Sequence, residues 1–122
     1  MLRGEKEIKE AKLLAVENKN RHRKYNIHME CPEFTCHCPM TGFPDFGTII
    51  IDFVPDEKIL ELKSLKLYIN KYRDEYIFHE DVVNKILDDL VKELDPFEMT
   101  IKGDFNVRGN IKTLITAKHV KG

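Results

Sequence analysis

No stretch of this chain stays apolar for anything near the ~20 residues a helix needs to cross a bilayer. The charged opening Met1-Leu2-Arg3-Gly4-Glu5-Lys6-Glu7 also lacks the apolar core of a secretory signal. Both absences point to the cytosol and away from a membrane. A surplus of one charge is missing too: 20 lysines and arginines stand against 21 aspartates and glutamates. That balance disfavours a protein whose task is to coat nucleic acid or an anionic surface. Cysteine is scarce, with three residues crowded between Cys31 and Cys38, an odd number that suits a free thiol in a reducing compartment better than a disulfide framework. No Gly-x-Gly-x-x-Gly segment follows a strand-like run, which excludes the Rossmann mode of dinucleotide binding. No internal repeat or low-complexity tract is present. At 122 residues the chain has length for one core and one domain, spanning 1–122, and a large cofactor must sit on its surface or between subunits.

What is there alternates between strand and helix patterns. Residues 1–23 read as an N-terminal helix or arm, with Ile8, Ala11, Leu14 and Ala15 on one face of a helix from Glu5 to about Glu17. The core, 24–119, begins with a strand-like alternation from Tyr25 to Glu30. The β-branched run Thr48-Ile49-Ile50-Ile51-Asp52-Phe53-Val54, closed by Pro55-Asp56, predicts a buried strand. Two amphipathic helices follow, one carrying Leu65, Leu67, Tyr68, Ile69 and Tyr72, the other Val82, Val83, Ile86, Leu87, Leu90, Val91 and Leu94. The second stops near Asp95-Pro96, because proline cannot continue the hydrogen-bond ladder. Strands from Glu98 to Val107 and Ile111 to His119 flank a hairpin turn at Arg108-Gly109-Asn110. This order predicts an α+β domain, two helices on one face of an antiparallel sheet whose open edges favour self-association into a ring with clefts between subunits.

The chemistry concentrates in Thr35-Cys36-His37-Cys38-Pro39-Met40-Thr41-Gly42-Phe43-Pro44-Asp45-Phe46. Cysteine is suited to attack an electrophilic carbon and a nearby carboxyl group can manage the protons, so Cys38 and Asp45, brought together by a turn rich in proline and glycine, form a candidate catalytic pair. Loop amides, His37 or His79 are candidates to stabilise a Cys38 thiolate. The plainer readings are a buried structural cysteine and a turn-capping aspartate. Cys31, Cys36, Cys38, His28 and His37 offer zinc-type ligands, at a spacing poor for a structural site. In Phe78-His79-Glu80-Asp81, Glu80 is able to accept two hydrogen bonds from a purine-like amidine edge, or else serves only to favour a helix N-terminus. Lys63, Lys66, Lys71 and Arg73 either meet phosphate groups or solvate a helix face.

Taken together these residues resemble one family, the NADPH-dependent 7-cyano-7-deazaguanine reductases, nitrile reductases of queuosine biosynthesis. Glu61-Leu62-Lys63-Ser64-Leu65-Lys66-Leu67-Tyr68 is similar to the family's signature. The cysteine loop, Phe78-His79-Glu80-Asp81 and the Arg108-Gly109 turn follow in the family's order, so that the likeness covers roughly Tyr25 to Thr116. The resemblance implies a tunnelling fold related to that of GTP cyclohydrolase I, with short subunits closing into a homodecamer of two pentamers. It makes Cys38 the nucleophile that adds to the nitrile carbon to give a thioimide, and Asp45 the general acid and base. Glu80, His79 and Phe78 become substrate-binding residues. Glu61, Leu62, Lys63, Ser64, Leu65 and Lys66, with Arg108 and Gly109, become residues linked to NADPH, which delivers hydride twice to yield 7-aminomethyl-7-deazaguanine. The implied partner is the small-molecule substrate 7-cyano-7-deazaguanine, with no direct nucleic acid, no membrane and no metal.

Two departures stand out: Cys36 where the family pattern suggests serine, and Asn110 where it has a second glycine. Val82 offers no thiol as a disulfide partner for Cys38. Two rivals differ in class. An amidine-forming relative acting on nitrile-bearing tRNA keeps Cys38 and Asp45 but has no need of the intact Glu61 to Tyr68 motif, and a zinc-stabilised RNA-binding module rests on the cysteine cluster and is disfavoured by the charge balance.

Overall fold

The computed structural model describes residues Met1–Gly122. In chain order its elements are α1 (Arg3–Lys9), β1 (Ala15–Glu17), β2 (Ile27–His37), β3 (Pro44–Val54), β4 (Lys58–Leu60), α2 (Leu62–Asn70), a 3-10 turn (Lys71–Asp74), α3 (His79–Leu94), β5 (Glu98–Arg108) and β6 (Ile111–Val120). Four long strands make one antiparallel sheet in the order β2-β3-β5-β6, and β1 pairs with β4 in a separate two-stranded ribbon.

The sheet is buried on one face because its strands alternate. Phe34, Cys36, Ile49, Ile51, Phe53, Met99, Ile101 and Phe105 point into the core, where α3 lays Val82, Val83, Ile86, Leu87, Leu90 and Leu94 against β5 and β6. Each such fully buried aliphatic or aromatic side chain contributes roughly 1.5–3 kcal/mol relative to leaving it in water. The sheet thus has both predicted helices on one face, and α2 with its 3-10 extension packs beside β2. α3 ends as the sequence anticipates: Asp95 takes a left-handed conformation (φ 45°), its N–H donates to the Val91 carbonyl, and Pro96 follows. The β5–β6 turn places Gly109 and Asn110 at φ +55° and +69°, the two positive values that a two-residue hairpin requires.

Four expectations need correction. The N-terminal helix stops at Lys9, not near Glu17, because the chain from Ala15 is captured as a strand by β4 while Leu14 is tied on both sides to α2, its N–H donating to Ser64 Oγ and its carbonyl accepting from the Glu61 N–H. Tertiary pairing overrides a mild helix propensity there. The strand read at Tyr25–Glu30 starts at Ile27 and continues through all but the last cysteine to His37. Pro32 is tolerated because β2 is a sheet edge and a register shift between Cys31 and Phe34 absorbs it. Finally, β3 begins at Pro44, ahead of the predicted Thr48, and Tyr72 lies in the 3-10 turn beyond α2.

Candidate active site

Extending β2 and β3 shortens the cysteine loop to the residues between His37 and Pro44 and puts Asp45 on a strand rather than in a turn. Cys36 is the cross-strand partner of Asp45, and both are buried on the core-facing side. One further ladder bond, from the Cys38 N–H to the Phe43 carbonyl at 2.9 Å, carries the hairpin past the strand ends. The Gly42 N–H closes the loop onto the Cys38 carbonyl at 2.8 Å, and Gly42 supplies the positive φ of +75° that the reversal needs. Strand alternation brings Cys38 to the same face as Cys36 and Asp45.

The two neighbouring thiols are set apart by their surroundings. A hydrogen bond from the Thr41 hydroxyl, with the backbone amides of Thr41 and Met40, holds the Cys38 thiol below its ordinary range, against partial burial and the charge of Asp45. Burial, helped by Asp45 and Cys38, pushes the Cys36 thiol up to about 12, and its sulfur donates to the Ile77 carbonyl at 3.8 Å. Of the two thiols, Cys38 is therefore the one held toward its thiolate, and Cys36 is a buried core residue. Of the groups considered for stabilising Cys38, loop amides do so; Thr41 was missed, and its only sequence signal is a hydroxyl three residues past the thiol.

Asp45 gathers residues from three elements. Its side chain is 12% exposed; Oδ1 accepts from Arg108 Nη1 at 2.9 Å, and Oδ2 lies 3.2 Å from Nε2 of His79, the first residue of α3. The His79 contact is out of line for a hydrogen bond, so this nitrogen is buried without a partner. The His79 ring is stacked on Phe105 with centroids 3.7 Å apart and planes 4° from parallel. Phe78 and Glu80 flank His79 and are exposed, with no side-chain cap from Phe78. Glu80 reaches into no capping box; only its carbonyl is engaged, by Asn84. Sulfur, carboxylate and imidazole thus meet where β3 begins and α3 starts, with the exposed Glu80 next to His79 in sequence.

The Glu61–Lys66 segment divides in two. The Glu61 carboxylate caps α2, accepting from the Lys63 N–H at 2.9 Å and the Ser64 N–H at 2.6 Å, and the Ser64 hydroxyl donates back to the Glu61 carbonyl at 2.7 Å. These two hold the helix. Leu62, Leu65 and Lys66 instead line a cleft of about 780 Å³ between α2 and β2, which reaches His37, the neighbour of Cys38, and has Arg73 at its rim. Its apolar side chains share the lining with Lys66 and Arg73 and with Glu30 and Glu33, and its volume is that of a small-molecule site. Lys63 is exposed next to this cleft in sequence, and Gly109 stays in its turn on the far side of the sheet order.

The zinc cluster does not assemble. His28 is taken up on the outer sheet face by Asp52 at 2.7 Å and Glu30 at 2.8 Å, His37 Nε2 bonds the Arg73 carbonyl at 2.7 Å, and no group of three or more His, Cys, Asp or Glu side chains is placed to hold a metal ion.

The family described as "QueF-like protein" matches residues 44–122. The chain belongs to that family. Among relatives of this QueF-like chain are two proteins named NADPH-dependent 7-cyano-7-deazaguanine reductase. The one from Acaryochloris marina is 54% identical over 97% of this chain and 82% of its own; that from Thermosynechococcus vestitus is 53% identical over 95% and 88%. A solved structure, the archaeosine synthase QueF-Like in its apo form, superposes with a TM-score of 0.68 over 78% of this chain and 91% of its own at 15% identity. At that identity the likeness is one of fold, and it agrees with the tunnelling-fold architecture implied by the sequence.

Proposed function

We propose that this chain reduces the nitrile of 7-cyano-7-deazaguanine to the aminomethyl group of 7-aminomethyl-7-deazaguanine, a step of queuosine biosynthesis, with NADPH as reductant. The observation that carries the reading is Cys38: the only thiol of the chain held toward its thiolate, in the field of the Asp45 carboxylate, which in turn lies against the buried, unpaired Nε2 of His79, in a chain more than half identical to enzymes bearing that name.

A nitrile carbon is a poor hydride acceptor until a nucleophile has added and its nitrogen has been protonated. The Cys38 sulfur forms a C–S bond as one π bond of the nitrile opens. The proton lost from sulfur passes by way of Asp45 to nitrogen, giving a neutral thioimide with no net exchange of electrons. Glu80 accepts hydrogen bonds from the amidine edge of the deazapurine, while Phe78 offers an apolar face and His79 reaches the reacting centre with its free nitrogen. Two NADPH molecules, binding in turn, would each provide one hydride, four electrons in all, for the carbon so activated. When the C–S bond breaks, the departing thiolate is received by the same Thr41 hydroxyl and loop amides that lowered its proton affinity. Leu62, Leu65 and Lys66 would hold the cofactor in the cleft along β2, with Lys63 and Lys66 placed for phosphate charge; Glu61 and Ser64 would serve this indirectly by fixing the helix.

The sheet edges β2 and β6 carry unpaired backbone groups, and β6 with its turn exposes Ile111, Leu114 and Val120. These features support self-association into a ring, as a decamer of two pentamers. Three free cysteines and the absence of any helix long and apolar enough to cross a membrane support a cytoplasmic setting.

The test is NADPH oxidation with 7-cyano-7-deazaguanine. Two equivalents consumed per nitrile, with an amine product, support the reading. An amidine formed from ammonia without NADPH use would assign the chain to the amidine-forming chemistry instead.

A further inference from the structure

Arg108 sits at the last position of β5, next to the Gly109-Asn110 turn, and the resemblance places it among residues linked to NADPH. Its guanidinium is bound elsewhere. Nη1 donates both to Asp45 Oδ1 at 2.9 Å and to the carbonyl of Pro44 at 2.6 Å, so one nitrogen holds the first main-chain carbonyl of β3 and the side chain that follows it. A local irregularity makes the reach possible: the β5–β6 register shifts between Phe105 and Arg108, and such a bulge re-aims the side chains beyond it. The pair is shielded on the carboxylate side, since Asp45 is 12% exposed and Arg108 46%, which favours a defined geometry over a fluctuating surface contact.

We propose that Arg108 is a positioning residue for Asp45, holding one carboxylate oxygen so that the other is presented to His79 and the thioimide nitrogen, and that it acts before the cofactor is needed. The proposal rests on the thioimide reading above. With Oδ1 occupied by Arg108, Oδ2 is the oxygen left at 3.2 Å from His79 Nε2 and free to carry the proton from sulfur to nitrogen. Without the guanidinium, the carboxylate is free to rotate, and a carboxylate that must accept a proton at one atom and release it at another loses rate steeply when misplaced, by about 100-fold for displacements near 1 Å.

Thioimide formation without NADPH separates this role from cofactor binding, because addition of sulfur to the nitrile needs no hydride. The rate of adduct formation is followed by stopped mixing and intact-protein mass for the wild-type protein, Arg108→Gln and Arg108→Lys, with thermal melts for each. The expected result is adduct formation slowed by about 10-fold to 100-fold in Arg108→Gln, a KM for NADPH within about twofold of wild type in steady state, and partial recovery on adding millimolar guanidinium or in Arg108→Lys. Adduct formation at the wild-type rate with a raised KM for NADPH overturns the proposal and returns Arg108 to the cofactor. If Arg108→Gln fails to fold, Arg108→Lys carries the test: slowed adduct formation in a folded protein supports the role, and an unchanged rate rejects it. Failure of the wild-type protein to form any adduct is a different outcome, which removes the thioimide chemistry itself.

Discussion

Cys36 and Asp45 face one another across the β2–β3 ladder, and Cys38 follows two residues later at the end of the same face. One carboxylate therefore bears on two thiols, raising the proton affinity of both. Only Cys38 escapes, because Thr41 and the loop amides stabilise its sulfur as an anion. The loop thus holds one of two neighbouring thiols toward its thiolate and leaves the other protonated.

The first prediction concerns that selectivity. Iodoacetamide should label Cys38 with a pH midpoint below that of an ordinary thiol and leave Cys36 unmodified in the folded protein. Thr41→Ala should move the Cys38 midpoint upward, as its hydroxyl is the largest stabilising contact. Peptide mapping over a pH series measures both. Labelling of Cys36 in step with Cys38 would contradict the assignment.

A second prediction follows from Glu61. The Ser64 and Lys63 N–H groups hold its carboxyl below the ordinary 4.5. A carboxyl whose folded value is depressed stabilises the fold above its unfolded value, and that contribution is lost as pH falls through the folded one. Glu61→Gln should lower Tm by a few degrees at neutral pH, and the difference from wild type should shrink as pH is taken down through and below 4.5. A difference that grows on acidification would reverse the sign of the argument.

The third concerns the support beneath His79. A Cβ added at Gly103 would stand 2.6 Å from the Phe105 ring and 2.6 Å from Val83 Cγ2, and Phe105 is the ring on which His79 is stacked. Gly103→Ala should cost about 1–3 kcal/mol by overpacking and lower kcat by displacing the imidazole. Denaturant melts and steady-state kinetics report the two effects, and a variant stable and active as wild type would show that the core yields there at no cost.

Much of the architecture was legible because hydrophobic period and turn chemistry agree in β3, α3 and the β5–β6 hairpin: Thr48 to Val54, the Val82 to Leu94 stripe and Arg108-Gly109-Asn110 each mean one thing locally. The ends of elements were not. Ala15 to Glu17 becomes a strand only because β4 lies beside it, and Cys31 to His37 becomes one only because β3 offers a ladder that tolerates Pro32 at an edge. Cys38 and Asp45 were visible as a pair by residue type, whereas the roles of Thr41 and Arg108 depend on contacts across the loop and across 63 residues of chain. Glu61 and Ser64 show the converse, since residues that sequence links to a cofactor are spent on capping a helix.

The most direct test of the central claim is the intact mass of the protein after incubation with 7-cyano-7-deazaguanine and no NADPH, for wild type, Cys38→Ala and Asp45→Asn. Wild type should gain the mass of one substrate, mapped to Cys38; Cys38→Ala should gain nothing; Asp45→Asn should bind substrate yet form the adduct ~100-fold more slowly or worse. A wild-type protein that reduces the nitrile while carrying no adduct, or an adduct that survives Cys38→Ala, would contradict the account.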